Sequence, residues 1–152
     1  MKIQLRRVAR GREKWADQAT QNYLQRLRNM PTSEHILRLS KASELERRRE
    51  EEGQRLLNGL GDGDRLIALD ERGSLIRTEE LRDWVQESID DRCKRLVFAI
   101  GGPFGLAPAV RDHAWRTLAL SPMVLNHELA RVLLAEQLYR VHTLIWGGSY
   151  HH

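Results

Sequence analysis

Short apolar runs alternate with amphipathic stretches along the chain, and the two periods predict different elements. Apolar runs of strand length predict strands at residues 2–8, 34–40, 65–70 and 96–100. Apolar positions at helical spacing predict helices at residues 15–29, 42–57, 79–91 and 108–115, and a long helix from His127 onward. Strands that alternate with helices predict an α/β fold, with a mostly parallel sheet flanked by helices, in a single domain of residues 1–152.

A glycine-rich turn follows one of the most apolar of these runs. The run that ends at Ile100 continues directly into Gly101-Gly102-Pro103-Phe104-Gly105. Adjacent glycines let a backbone approach a ligand closely, and ligands of open α/β sheets bind beyond the carboxyl ends of the strands. No Gly-Lys-Ser/Thr follows, and the glycines at 59–63 precede a strand instead of following one, so neither common phosphate-binding fingerprint is present. The turn therefore indicates either a ligand site or a tight turn without a ligand.

The long helix predicted from His127 has a wider apolar face than one core contact needs. Asn126 is suited to cap its first turn, and Glu136 and Arg140 stand four residues apart in the order that favours an ion pair. Two apolar stripes run along it, Leu129-Val132-Leu133 and Leu134-Leu138-Val141-Ile145. A helix with two apolar stripes in a small domain indicates a homodimer.

The charge of the chain favours a polyanionic partner. The formal net charge is +4, and all but four of the 25 basic residues are arginine. The planar guanidinium fork fits phosphate and stacks on bases, and a basic surface attracts nucleic acid over a distance. A high arginine content that only reflects genome composition is the alternative interpretation.

Several simple features narrow the class of protein. No apolar run is long enough for a transmembrane helix, and the first residues contain no signal-peptide core, so we expect a cytoplasmic protein without a membrane partner. Cys93 is the single cysteine, which excludes an internal disulfide. The histidines lack the spacing of metal ligands, so no metal site is predicted.

Motifs in the last third of the chain resemble those of one known family. They are Ile100-Gly101-Gly102-Pro103-x-Gly105, Leu125-x-His127, the run from Arg131 to Arg140, and the closing Tyr150-His151. These segments resemble the ribosomal large-subunit pseudouridine N3-methyltransferases of the SPOUT superfamily. The match runs nearly end to end, because the opening Lys2-Ile3-Gln4-Leu5 and the strand that ends at Leu69-Asp70 also fit.

The resemblance implies a C-terminal trefoil knot, an obligate homodimer and S-adenosylmethionine as the cofactor. It implies that the RNA side of a site shared by two subunits involves Glu136, Arg140, Tyr150 and His151. By position, it also implies an adenosine pocket at Leu69, Gly101, Gly102, Gly105, Ser121, Pro122, Met123, Val124, Leu125 and Asn126.

The activity that the resemblance implies is methyl transfer to N3 of a pseudouridine in large-subunit rRNA, either as free rRNA or in an assembled ribosome. N3 belongs to a weakly acidic imide, so its proton must leave, and a base contributes roughly 10²–10⁴-fold to such a step. His151, Tyr150 and Glu136 are the alternatives for that base. A noncatalytic RNA-binding or ribosome-assembly module, and a related methyltransferase acting on tRNA, are the alternative functions.

Three positions depart from the commoner pattern of this family. Phe104 stands where Glu is usual, Glu128 where Pro is usual, and Gly148-Ser149 where Asn/His-Pro is frequent. Some members of the family also end in Tyr-His-His and carry Met-Val-Leu-Asn-His, as this chain does at residues 150–152 and 123–127, so the chain resembles a subgroup of the family.

Overall fold

Within residues 1–150, which the computed structural model describes, five parallel strands form one sheet. Their order across the sheet is β2-β1-β4-β3-β5, and every neighbouring pair is parallel. The α/β fold with a parallel sheet that the sequence predicts is therefore confirmed. The strands are β1 (Lys2–Val8), β2 (Thr32–Leu37), β3 (Asp64–Leu75), β4 (Arg95–Ile100) and β5 (Arg116–Ala119).

Helices cover both faces of the sheet, because the central strands are apolar on both sides. The helices are α1 (Lys14–Leu24), α2 (Leu45–Leu57), α3 (Thr78–Asp90), α4 (Pro108–His113) and α5 (His127–Trp146). On one face α1, α3 and α5 enclose a core around Phe98 and Leu138, and on the other α2 and α4 enclose a smaller core around Val97 and Val110. No helix of residues 1–150 is both long enough and apolar enough to cross a membrane.

The structure differs from the sequence-based prediction mainly at the ends of elements and at one strand. The sequence pattern did not predict β5, and the helix expected at residues 15–29 ends at Leu24. The strand expected up to residue 40 leaves the sheet after Leu37, and the Ser40 amide instead donates to a carboxylate oxygen of Glu52 at 2.9 Å. A side chain of α2 thus replaces the neighbouring strand as a hydrogen-bond partner.

The segment between β5 and α5 crosses the sheet. Strand β5 lies at one edge, whereas the first turn of α5 contacts β1 and β2 near the other edge. Arg7 of β1 donates to Glu128 of α5 at 2.8 Å, and Arg131 of α5 donates to Glu34 of β2 at 2.9 Å. From β5 to β1 the sheet is three strand spacings wide, about 14 Å. Residues 120–126 therefore pass over the carboxyl ends of β3 and β4, where the sequence predicts a ligand site.

Candidate active site

A cavity of about 860 Å³ lies at the carboxyl edge of the sheet, beyond β3, β4 and β5. Three chain segments surround it: the end of β3 from Leu69 onward, the turn after β4, and the segment that crosses the sheet after β5. Its size lies within the usual range for small-molecule and cofactor sites. Apolar side chains from several elements form much of its lining: Leu69, Ile100, Leu106, Leu118, Leu120 and Leu125.

The glycine turn after β4 has a backbone that only glycine allows at two positions. The Gly105 amide donates to the Gly102 carbonyl at 3.0 Å, which closes the turn and places Pro103 and Phe104 at its tip. A Cβ on Gly101 would lie 2.8 Å from the carbonyl carbon of Gly105, closer than real Cβ atoms approach backbone. Gly105 has a φ of +78°, in the left-handed region that side chains other than hydrogen disfavour. The turn is therefore built for a close approach of two backbone segments.

Two arginines of α2 hold the tip of this turn. Arg49 donates to the Phe104 carbonyl oxygen at 2.8 Å, and the Arg48 guanidinium lies over the Phe104 ring at 5.6 Å from its centre. A cation over an aromatic face is favourable by about 0.5–1 kcal/mol at exposed sites. Phe104 is one of the departures from the family pattern. Its ring contacts the Arg48 guanidinium through its face, whereas a glutamate at this position would contact an arginine through an ion pair.

Asp70 and Arg111 join the end of β3 to the segment that follows the glycine turn. Arg111 of α4 donates both to the Asp70 carboxylate at 3.2 Å and to the Leu106 carbonyl at 2.9 Å. Asp70 also accepts from the Arg72 amide at 3.0 Å. Asp70 is therefore occupied in tying the end of β3 to the segment that follows the glycine turn.

The crossing segment, residues 120–126, is shaped by two local hydrogen bonds in which a backbone amide donates to a side-chain oxygen. Ser121 Oγ accepts from the Met123 amide at 2.9 Å, and Asn126 Oδ1 accepts from the Glu128 amide at 2.8 Å. The second bond confirms the predicted cap of α5. Met123 and Val124 remain highly exposed between these bonds.

The residues predicted from the sequence for the adenosine pocket are brought together at this cavity. All of them except Pro122 line it, and Pro122 lies between two residues that do, Ser121 and Met123. Their role as cofactor ligands stays a prediction. Sequence reasoning missed Arg49 and Arg111, which secure the walls. Arg49 lies in a charged run typical of a solvated helix face, and nothing local in the sequence indicates that its partner is a carbonyl 55 residues away.

The residues predicted for the RNA side form a second cluster, on α5 and the segment after it. Glu136 Oε1 accepts from Arg140 at 2.7 Å and from the Tyr150 hydroxyl at 3.4 Å, and Gln137 donates to Oε2 at 2.7 Å. The Arg140 guanidinium lies 5.0 Å from the centre of the Tyr150 ring, which also packs on Tyr139. The predicted Glu136–Arg140 ion pair is confirmed. His151 lies outside the described residues.

Tyr150 is a hydrogen-bond donor in this cluster. Its hydrogen bond with Tyr23, together with burial and the charge of Glu136, raises the pKa of Tyr150 to about 12. The phenol is therefore protonated throughout the neutral range. Glu136, which already accepts hydrogen bonds from three side chains, has a carboxylate whose charge is well compensated.

The cavity and this cluster are separate within one protomer. None of Glu136, Arg140 and Tyr150 lines the cavity, and the last residue of α5 that does, Ala130, lies six residues before Glu136, roughly 9 Å along the helix. One copy of the described chain therefore does not bring the two sets of predicted residues together.

The sequence and the fold of this chain are similar to those of known methyltransferases. A family model described as "Predicted SPOUT methyltransferase" matches residues 1–151. Proteins named "Ribosomal RNA large subunit methyltransferase H" are 40% identical in Solidesulfovibrio magneticus, over 99% of this chain and 98% of the relative, and 36% identical in Phocaeicola vulgatus, over 100% and 99%. A similar protein of the same name in a Geobacter species is 37% identical over 100% of this chain and 99% of its own.

A solved structure supports the fold. The crystal structure of a probable methyltransferase from Bordetella pertussis has a TM-score of 0.54 and 11% identity, covering 92% of this chain and 95% of that one. At this identity the likeness concerns the fold alone, and it agrees with the parallel sheet and flanking helices described above. The family model and the full-length relatives identify the chain: it belongs to the SPOUT methyltransferase family.

Proposed function

We propose that this protein is an S-adenosylmethionine-dependent methyltransferase that methylates N3 of a pseudouridine in large-subunit rRNA. The observation that carries the proposal is the cavity at the carboxyl edge, where three separate segments bring the predicted cofactor residues together. The names of the full-length relatives supply the substrate class, large-subunit rRNA. An rRNA substrate in turn argues for action in the cytoplasm.

The cavity fits the cofactor in size and chemistry. Leu69, Leu118 and Leu125 offer apolar surface for an adenine ring, and the exposed backbone of the glycine turn offers amides and carbonyls for its polar edge. S-adenosylmethionine carries an activated methyl group, so the protein's part is to align the reactants and exclude water. The ties from Arg49 and Arg111 hold the walls in place for that task.

The protonation state of Tyr150 bears on which residue accepts the proton from N3 of the target. Tyr150 is protonated at neutral pH and suits a donor to a base oxygen, not a proton acceptor. Arg140 lies on the face of the Tyr150 ring and suits a phosphate or a base oxygen. We therefore assign Tyr150 and Arg140 to orienting the target base.

A homodimer completes the site in this proposal. The crossing segment and the start of α5 leave apolar side chains in solvent, among them Met123, Val124 and Leu129, and exposed apolar patches are typical of interfaces. We expect a partner related by a two-fold axis to bring its own α5 and the segment after it to the cavity of the first copy. The cluster of one copy would then complete the cavity of the other. The proposed trefoil knot agrees with the path of residues 120–126 over the sheet edge.

Two measurements test the function. Calorimetry with S-adenosylmethionine and with its demethylated product is expected to give micromolar affinity, whereas no heat at millimolar ligand would favour a noncatalytic RNA-binding module. The rRNA nucleosides of a deletion strain, analysed by mass spectrometry, are expected to lack N3-methylpseudouridine, and complementation should restore it. Persistence of that nucleoside, with loss of a tRNA methylation, would assign the protein to tRNA instead.

A further inference from the structure

A second large depression lies at the same edge of the sheet, next to the cavity. It has a volume of about 1210 Å³ and lies over the carboxyl ends of β1 and β2. Its walls come from residues 9–15, residues 38–41 and the side of α2, and we call it the basic groove. The basic groove and the cavity share four lining residues, Pro103, Phe104, Asn126 and His127. A ligand in the groove would therefore lie against the same wall as a ligand in the cavity.

The groove carries positive charge that the protein leaves uncompensated. Arg10, Arg38 and Lys41 are exposed on its rim, and within residues 1–150 none of them has a carboxylate partner. Glu52 and Glu128 also line it, but both are buried, and Glu128 is held by Arg7 and Arg131 at 2.8 and 2.9 Å. Exposed Glu13 is the remaining acid of the lining. The balance of accessible charge suits a polyanion.

Two exposed aromatic rings line the same groove as these cations. Trp15 is 49% exposed and Phe104 is 43% exposed, and both line the groove. Phe104 lies at the wall shared with the cavity, and the Arg48 guanidinium covers part of its ring. Cations along a groove together with open aromatic faces are the features that bind single-stranded nucleic acid, because phosphates pair with the cations and unstacked bases lie on the rings.

We propose that the basic groove binds the single-stranded RNA segment that carries the target nucleotide, with phosphates at Arg10, Arg38 and Lys41 and one base on Phe104. The proposal rests on the proposed function and extends it, because it gives the acceptor strand a place on the same chain as the cofactor cavity. The shared wall links the strand to the cavity. Pro103 and Phe104 line both depressions, so a nucleotide stacked on Phe104 lies at the border of the cavity.

A matched pair of triple variants tests the groove. Arg10→Ala/Arg38→Ala/Lys41→Ala removes the three rim cations, and Lys2→Ala/Arg28→Ala/Lys94→Ala removes the same charge at the amino ends of β1, β2 and β4, the opposite edge of the sheet. The probe is a fluorescein-labelled single-stranded RNA that contains pseudouridine, titrated into the full-length protein. We expect the groove triple to bind it at least about tenfold more weakly and to lower the slope of log Kd against log salt by about 2. The opposite-edge triple should change affinity by no more than about twofold.

The possible outcomes distinguish failure of the groove proposal from failure of the proposed function. Equal losses in both triples would overturn the proposal, because the attraction would then be one of net charge. A groove triple that changes the protein's mass in light scattering would overturn it too, since the rim would be a contact with a second copy. Unchanged RNA affinity beside normal cofactor affinity would overturn the groove alone, whereas a wild-type protein that binds no S-adenosylmethionine would overturn the proposed function.

The aromatic part of the proposal has its own variant. Phe104→Leu keeps apolar contact on the turn and removes the flat face. Loss of one stacked base corresponds to a decrease in RNA affinity of about fivefold or more, and cofactor affinity is measured in parallel because Phe104 also lines the cavity. RNA affinity equal to that of the wild type would show that no base rests on Phe104.

Discussion

Gly101 illustrates how a single missing side chain sets the form of the candidate site. A Cβ added at Gly101 would meet backbone atoms of Gly105 and Leu106, which cannot move away by a change of rotamer. At Gly102 the nearest atoms are the ends of the Glu52 and Leu39 side chains, both at 3.2 Å, and side chains can change rotamer where a backbone cannot. The sequence identifies both glycines, but only the structure separates the strict position from the tolerant one.

Gly101→Ala is therefore expected to open the glycine turn and to weaken S-adenosylmethionine binding at least about tenfold in calorimetry. The added methyl group would overlap with the Gly105 carbonyl carbon, so the backbone wall of the cavity would have to move. Gly61→Ala is the matched control, since nothing lies within 4 Å of its Cβ position. Cofactor affinity at the wild-type level in Gly101→Ala would contradict the assignment of the cavity.

Tyr150 gives a prediction that needs no substrate. Because its pKa is raised to about 12, ultraviolet titration of the phenols should contain one component that ionises well above the ordinary tyrosine value of 10. Tyr150→Phe should remove that component. A titration in which Tyr150→Phe removes a component near pH 10 would mean that the contacts with Tyr23 and Glu136 are absent in solution.

His142 links stability to pH. Burial lowers its pKa below 6.5, and within residues 1–150 neither ring nitrogen has a hydrogen-bond partner. The unfolded chain therefore binds a proton more readily, so this contribution to stability is complete above about pH 6.5 and is lost as the pH falls toward the folded-state pKa. His142→Phe, which keeps an aromatic ring against Trp146, should lose less stability than the wild type between about pH 7.5 and pH 5.5 in urea unfolding. Parallel decreases in both proteins would contradict the prediction.

At the scale of elements, a buried ion network fixes where α5 begins. Arg7 and Arg131 are fully buried, and they share the carboxylates of Glu34 and Glu128, with Asp17 accepting from Arg131 at 2.8 Å. Burial alone would lower the pKa of Arg131, but the hydrogen bonds with Glu34 and Asp17, together with the charges of Glu34 and Glu128, raise the pKa overall. The network joins α1, β1, β2 and α5, so it anchors the end of the crossing segment.

Breaking this network on one side should be costly, because it leaves a charge buried without its partner. Glu128→Gln is expected to lower the free energy of unfolding by about 3–5 kcal/mol in urea denaturation. Arg47→Ala, which removes an exposed i,i+4 pair with Glu51, should change it by no more than about 0.5 kcal/mol. A small effect of Glu128→Gln would mean that solvent reaches the network.

The elements that the sequence predicted well are those with a strong local signal. Strand β1 matches its predicted bounds, and the cap at Asn126 and the pair Glu136–Arg140 lie where spacing placed them. Strand β5 is only four residues long and begins with Arg116, so it has no period to detect. The sequence also gives no local sign that Arg7 and Arg131 are buried, because their partners are distant along the chain.

At the scale of the whole molecule, two depressions share one edge of the sheet. The parallel sheet brings every strand's carboxyl end to that edge, and the crossing segment, residues 120–126, lies between the cavity and the basic groove. The predicted cofactor positions could be read from the sequence because most of them lie in two short segments, residues 101–105 and 121–126, that contain the motifs of the resemblance. The groove could not, since its cations come from segments that have no common pattern.

The association of two copies is the remaining property of the whole molecule, and the outer stripe of α5 provides its test. Leu134, Leu138 and Val141 fill the core of one protomer, whereas Leu129 is 50% exposed and Val132 and Leu133 are half-buried, so the predicted stripe Leu129-Val132-Leu133 is only partly covered within residues 1–150. Leu129 also borders the basic groove, so a partner on this stripe would form the groove's outer wall.

Leu129→Glu is therefore expected to give a monomeric mass in light scattering, because a carboxylate in an apolar contact would be desolvated without a partner. Leu75→Glu, at another exposed leucine at the end of β3, should remain dimeric. The monomer should keep its cavity and bind S-adenosylmethionine, yet lose methylation, because Glu136, Arg140 and Tyr150 of one copy do not line their own cavity. A monomer with full activity would contradict the composite site, and a Leu129→Glu dimer would place the interface on another face.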